Sequence, residues 1–138
     1  MGVVVDSSVF IAAERERLDW PGFHGSIEAE PLYLTALTLA ELLHGAERAD
    51  SPERKARRLA FIAEIEARYP LLSFGRGEVA EYVEIWAALS TRGETIGTHD
   101  LQIAAIARHH GHRVATLNGG EYSRVPGLGV LDASAFRI

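Results

Sequence analysis

The sequence predicts an α/β fold in which a small parallel sheet is covered on both faces by helices, a three-layer arrangement. Three observations carry that prediction. Short β-branched or apolar runs recur along the chain, segments of helical period separate them, and one or two helices intervene between each run and the next. Length and composition agree with it. The 138 residues suit a single domain (1–138) with one core of ordinary size. A content of 47% hydrophobic and 24% charged residues is that of a globular protein, and no repeat, linker or low-complexity tract interrupts it.

The elements follow in order. Val3-Val4-Val5 is β-branched and short, as a buried parallel strand should be. Asp6, Ser7 and Ser8 are all capping residue types, and the helix they introduce, from Val9 to Ala13, is expected to fade near Trp20-Pro21-Gly22. Pro31 to Thr35 reads as a second strand. From Thr38 to Ala49 the residues Leu39, Leu42, Leu43 and Ala46 recur at three- and four-residue intervals, which marks an amphipathic helix. Ser51 caps the next helix, with Pro52 in its first position, where the missing N–H has no intrahelical partner to lose. That helix extends to about Arg68 with Leu59, Ile62 and Ile65 inward. Leu71 to Phe74 is a third strand, Gly77 to Arg92 a helix stopped at Gly93, and Thr98 to His110 a helix closed by Gly111. Val114 to Leu117 and Val130-Leu131 supply the last strands.

Several functional classes are excluded or constrained. With no cysteine, the chain has neither disulfides nor thiolate nucleophiles, and any metal must be held by oxygen or imidazole. No apolar run reaches the ~18–20 residues of a membrane span. The start, MGVVVDSSVF, lacks the basic segment of a signal peptide and reads as a first strand, and the lack of cysteine is compatible with the cytoplasmic location expected. A net charge of -5 argues against a nucleic-acid binder that works mainly through a basic surface, although a nucleic acid held partly by metal ions stays open.

Chemistry concentrates in three widely separated acids, Asp6, Glu41 and Asp100, with Glu121 as a fourth. Each has a structural reading. Asp6 has the residue type of an N-cap, and Thr38-Leu39-Ala40-Glu41 matches a capping box. Asp100 falls in a first helical turn, favoured by the helix dipole. Three capping roles do not explain why all three acids belong to one end of the sheet, where helix starts after parallel strands converge and where such folds place their ligands. Carboxylates gathered there repel one another unless a cation intervenes. Mg²⁺ or Mn²⁺ suits an all-oxygen site, and hydrolysis of a phosphodiester is a chemistry such a site serves.

The chain resembles a PIN domain, and within that superfamily a VapC-type toxin of bacterial toxin-antitoxin pairs. The matching segments are Val3-Val4-Val5-Asp6-Ser7-Ser8-Val9, Thr38-Leu39-Ala40-Glu41-Leu42-Leu43-His44-Gly45, Ile96-Gly97 through Asp100 to Ala105, and Ala115-Thr116-Leu117-Asn118 with Glu121-Tyr122 and Val125-Pro126-Gly127-Leu128. They stand in the family's order over nearly the whole length. The resemblance implies a PIN-like fold with an acidic pocket that binds Mg²⁺ or Mn²⁺ and cleaves RNA. Asp6 and Asp100 would be the central metal ligands, Glu41 a ligand or an orienter of metal-bound water, and Glu121 an outer ligand where the family often has Asp. Ser7 or Ser8 would hold a carboxylate or a phosphate, or serve as a cap. Asn118 would contact substrate or shape the turn before Gly119-Gly120. The resemblance further implies a cognate antitoxin protein on an apolar groove lined by the helices from Thr38 to Arg68, and a homodimer.

Other features carry less. His109, His110 and His112 are read as solvated residues at a helix end rather than a metal site, and His99 as a minor substrate contact. Arg48, Arg54, Lys55, Arg57 and Arg58 are interleaved with Glu47, Asp50 and Glu53, so a salt-bridged exposed face is the default. Tyr82 and Trp86 suit a core or dimer contact. Two rival functions are weighed: a phosphotransferase or phosphoacceptor, against which stand the absence of a P-loop and of G-x-G-x-x-G, and a catalytically silent PIN scaffold that only binds a partner.

Overall fold

A computed structural model describes residues 1–138. The elements run β1 (Val3–Val5), α1 (Ser7–Glu14), α2 (Trp20–Ser26), β2 (Leu32–Thr35), α3 (Ala36–Glu47), α4 (Pro52–Arg68), β3 (Leu71–Leu72), α5 (Arg76–Thr91), α6 (Thr98–His110), β4 (Arg113–Thr116), α7 (Gly119–Tyr122) and β5 (Val130–Asp132), followed by one 3₁₀ turn. The strands form one parallel sheet of order β3-β2-β1-β4-β5. The connections therefore turn one way from β1 and the other way at β4. The crevice between the carboxyl ends of β1 and β4 is the topological switch point, the place where parallel α/β sheets bind ligands.

Side-chain alternation divides the core into two layers. Val3 and Val5 face α1, α3 and α4, packing with Val9, Phe10, Leu42, Ile62 and Ile65. Val4 faces the opposite layer with Ile85, Leu89, Ile103, Ala104 and Val114 of α5, α6 and β4. A central strand covered on both faces has no use for a polar side chain, so a run of three valines is what that position selects. The expected three-layer α/β architecture is therefore present.

Local differences from the sequence reading have physical causes. The chain does not lose helicity at Trp20-Pro21-Gly22. It begins α2 there, because the Asp19 side chain accepts from the Gly22 amide at 3.1 Å and Pro21 sits in a first turn, where no intrahelical donor is lost. An added Cβ at Gly22 would lie 2.3 Å from Asp19 Oδ2, so a larger residue here would push the capping carboxylate aside. In α3 the cap is Thr35, whose Oγ1 accepts from the Thr38 amide at 3.0 Å, and the helix starts at Ala36. Thr38-Glu41 is accordingly not a capping box. Helix α6 is preceded by Gly97, which supplies no side-chain cap, and α1 starts at Ser7 instead of Val9. The edge strand β3 is shorter than expected, ending at Leu72. Ser51 and Gly111 behave as predicted: Ser51 Oγ accepts from the Arg54 amide at 3.2 Å, and Gly111 adopts φ 73°.

Candidate active site

Asp6 leaves β1 in extended conformation, and its amide donates to Ala115 O at 2.9 Å, continuing the β1–β4 ladder by one bond. That bond lays Asp6 beside the end of β4. Although Asp6 occupies the N-cap position of α1, its side chain makes no capping bond. Instead Oδ2 accepts from Ser8 Oγ at 2.7 Å and from Thr116 Oγ1 at 3.0 Å, while Oδ1 lies 3.3 Å from the Tyr122 hydroxyl. The residue is only 3% exposed, so these hydroxyls stand in for the water that an ionised carboxylate would otherwise lose.

The Tyr122 hydroxyl also lies 3.1 Å from Asp100 Oδ1 and so bridges the two acids. One phenolic proton serves only one carboxylate at a time. The Asp100 carboxyl is pushed up to about 7, first by burial, then by its contact with the Glu121 carboxyl and the nearby Asp6 charge, against a lowering by Tyr122. Burial and the two aspartates push the Tyr122 phenol far above its ordinary value, so it acts as a donor throughout the working pH range.

Freed from the capping box, Glu41 projects from the second turn of α3. Ser7 Oγ donates to its Oε2 at 3.2 Å, and His99 Nδ1 stands 3.8 Å from Oε1. Burial is the main cause of a raised Glu41 pKa, the Ser7 bond opposes it, and Asp6 adds to it. Oε1 is enclosed yet accepts no hydrogen bond. Glu121, on α7, accepts from the Gly97 amide at 3.2 Å through Oε1, and Arg124 Nη1 donates to Thr95 O at 2.9 Å. Together they fasten to α7 the loop that leads into α6.

The sequence-derived acids are thus brought to one edge of the sheet, in two groups rather than in a ready-made cage of three or more ligands. Asp6, Asp100 and Glu121 form a chain of neighbours through Tyr122, and Glu41 faces Asp6 from α3. Ser7 and Ser8 both hold carboxylates. Asn118 makes no side-chain cap to α7 and borders a depression with Ser8 and Arg15. Sequence reasoning assigned no role to Thr116 or Tyr122. The available signals were a polar residue closing the apolar strand Val114-Ala115-Thr116 and an aromatic directly after Glu121. The histidine-rich end of α6 lies at the opposite edge, where the His112 ring stacks on Tyr33 at 4.5 Å and accepts from the Gly2 amide at 3.0 Å.

These donors suit a hard divalent cation. All are oxygens, and Mg²⁺ needs only one or two carboxylates beside its waters. The orphaned Glu41 Oε1 and the proton that Asp100 keeps to about pH 7 are what carboxylates show where a positive charge would relieve them.

The fold and the site together define a class: an α/β protein with an acidic cluster at the switch point of its parallel sheet. The PIN domain family model matches residues 3–128, and the chain belongs to that family. Ribonuclease VapC1 of Rickettsia felis is 36% identical over 135 residues, covering 98% of each chain. The tRNA(fMet)-specific endonuclease VapC of Shigella flexneri is 35% identical over 101 residues, 73% of this chain and 74% of the relative. Among solved structures, DNA-bound VapBC from Salmonella typhimurium superimposes with a TM-score of 0.83 at 26% identity, covering 96% of this chain and 98% of that one.

Proposed function

We propose that the protein is a Mg²⁺- or Mn²⁺-dependent endoribonuclease and the toxin of a toxin-antitoxin pair. The observation that carries the reading is the buried Asp6 carboxylate, locked by hydroxyls and bridged through Tyr122 to Asp100, in a chain aligned end to end with a protein named as a ribonuclease. Asp6 and Asp100 would hold the cation, with Glu41 and Glu121 as further ligands. Such a cation supplies activation of water and neutralisation of charge at the phosphate.

The chain's own residues do the positioning. Ser8, Thr116 and Tyr122 hold the Asp6 carboxyl in one orientation. Ser7 holds Glu41 Oε2 and leaves the enclosed Oε1 without a hydrogen bond. Glu121 fixes the start of α6 and thereby Asp100. Asn118 beside Ser8, and Ser7 if it releases Glu41, are the polar groups placed to meet an RNA phosphate.

Partners follow the same reading. The groove expected along the helices from Thr38 to Arg68 keeps only its α4 wall, Phe61 and Ile65; Phe10 of α1, Trp20 of α2 and Tyr69 complete it in place of α3, and this apolar groove suits an antitoxin helix. The exposed Val83 and Trp86 on α5 suit the contact of a homodimer. No helix is long and apolar enough to cross a membrane, and a cytoplasmic site of action, where RNA and divalent cations meet, completes the proposal.

Cleavage of a mixed structured RNA by the purified, antitoxin-free protein tests it. Cutting is expected with Mg²⁺ or Mn²⁺, and is expected to vanish with EDTA and in a folded Asp6→Asn variant. Cutting that persists in either control would refute the assignment, whereas intact partner binding with no cutting of any RNA would support the silent scaffold.

A further inference from the structure

The basic residues that the sequence suggested were neutralised on an exposed helix face are only partly so. Arg54 pairs with Asp50 at 3.3 Å, Lys55 pairs with Glu47 at 3.0 Å, and Arg58 donates to Gly45 O at 2.8 Å. Arg57 has no ion-pair partner, and neither do Arg15 and Arg17, which arrive from the end of α1. Between Arg15 and Arg17 stands Glu16 with φ 58°, a left-handed turn that lets both flanking arginines face α4. The result is a depression of about 510 Å³ in which five arginines, Arg15, Arg17, Arg54, Arg57 and Arg58, oppose only Glu14 and Glu16. In a chain whose net charge is -5, this is a strong local reversal of sign.

The depression shares lining residues with two hollows that border the acid site. Arg15 and Arg58 also line the cleft that contains Glu41. Arg15 and Arg17, with Arg137, line a second hollow of about 580 Å³ that contains Ser8 and Asn118, and Ser8 holds Asp6. A phosphate at the acids and further phosphates among the arginines would therefore belong to one strand.

We propose that this arginine depression is the seat of the RNA backbone adjoining the scissile phosphate, with Arg15, Arg17 and Arg57 as its free phosphate ligands. The proposal rests on the nuclease reading and adds to it where the strand lies. An acidic protein segment is the other anionic occupant to weigh. Docked peptides need apolar anchors, and no apolar residue lines this depression, the apolar groove beside α2 being separate. Guanidinium groups without apolar company fit a chain of phosphates better.

The test is binding of a short fluorescein-labelled single-stranded RNA of mixed sequence in EDTA, so that cleavage plays no part, over a range of salt. Each phosphate contact on a single strand contributes about 0.7 to the slope of log K against log salt. The Arg15→Gln, Arg17→Gln, Arg57→Gln triple variant should therefore show a slope shallower by about 2 than wild type, equally for unrelated RNA sequences. In the cleavage assay its KM should rise with kcat unchanged, and the corresponding triple Arg→Lys variant should recover most of the slope. An unchanged slope in the folded glutamine variant, beside a wild type that cleaves RNA, would overturn the proposal and leave the nuclease reading standing. A variant that keeps its RNA slope but loses binding to an acidic peptide would overturn it too, and mark a protein-binding surface instead. Failure of the wild type both to bind and to cleave would remove the nuclease reading together with this one.

Discussion

Tyr122 is the residue on which the site turns. Its hydroxyl stands between the Asp6 and Asp100 carboxyls, within 3.3 Å and 3.1 Å, and so ties the two acids to one point of the fold. Replacing it with Phe keeps the ring in its fully buried place and removes only that bridge. Because residues that orient metal ligands typically contribute 10–100-fold to affinity or activity, Tyr122→Phe should lower kcat or Mn²⁺ affinity by about that factor, read by cleavage kinetics and metal titration. Asp100 adds a pH dependence. Its folded-state pKa, raised from 3.8 to about 7, means that the metal-free folded protein keeps a proton the unfolded chain releases. Stability from this group should therefore be highest at low pH, fall as pH rises from 3.8 to about 7, and stay level above. Thermal melts in EDTA should show that decline in wild type and a smaller one in Asp100→Asn; equal profiles would contradict the coupling. The acids were legible in the sequence, and so were Ser7 and Ser8 as holders of a carboxylate, but Thr116 and Tyr122 were not. Thr116 is 110 residues from Asp6, and nothing in the local pattern of either says that they touch.

At the scale of elements, what the sequence concealed was mostly cap identity. Capping types crowd every strand-to-helix junction here, and periodicity does not say which of them takes the position. Thr35 and Thr38 compete for the start of α3, and the helix takes the earlier one. That choice decides function, because it moves Glu41 from a capping position into the second turn, where it faces Asp6. Thr35 is wholly buried and its hydroxyl holds the Thr38 amide. Thr35→Ala should cost about 1–2 kcal/mol in denaturant unfolding, with a fall in activity beyond what the loss of folded protein accounts for. Pro21 misled for the opposite reason, since a residue that ends most helices is also tolerated in a first turn. The long helices α4 and α6 were readable to within a residue, α4 because its apolar spacing agrees with the Ser51 cap and α6 because Gly111 closes it.

On the scale of the whole molecule, the order β3-β2-β1-β4-β5 does what no segment does alone, delivering Asp6 from β1, Glu41 from the helix after β2 and Asp100 from the helix before β4 to one crevice. The sequence pattern indicated a parallel sheet, and the resemblance of ordered motifs indicated which acids meet. The arginine depression was not foreseen, because Arg15 and Arg57 lie far apart in the chain and only tertiary packing of α1 on α4 joins them. The central claim is that this crevice is a divalent-cation site centred on Asp6 and Asp100. Its most direct test is titration with Mn²⁺ followed by electron paramagnetic resonance, comparing wild type with Asp6→Asn and Asp100→Asn. Saturable binding in wild type that both substitutions weaken at least tenfold is the predicted result; unchanged Mn²⁺ affinity in the two variants, or no saturable binding in a folded wild-type protein, would contradict it.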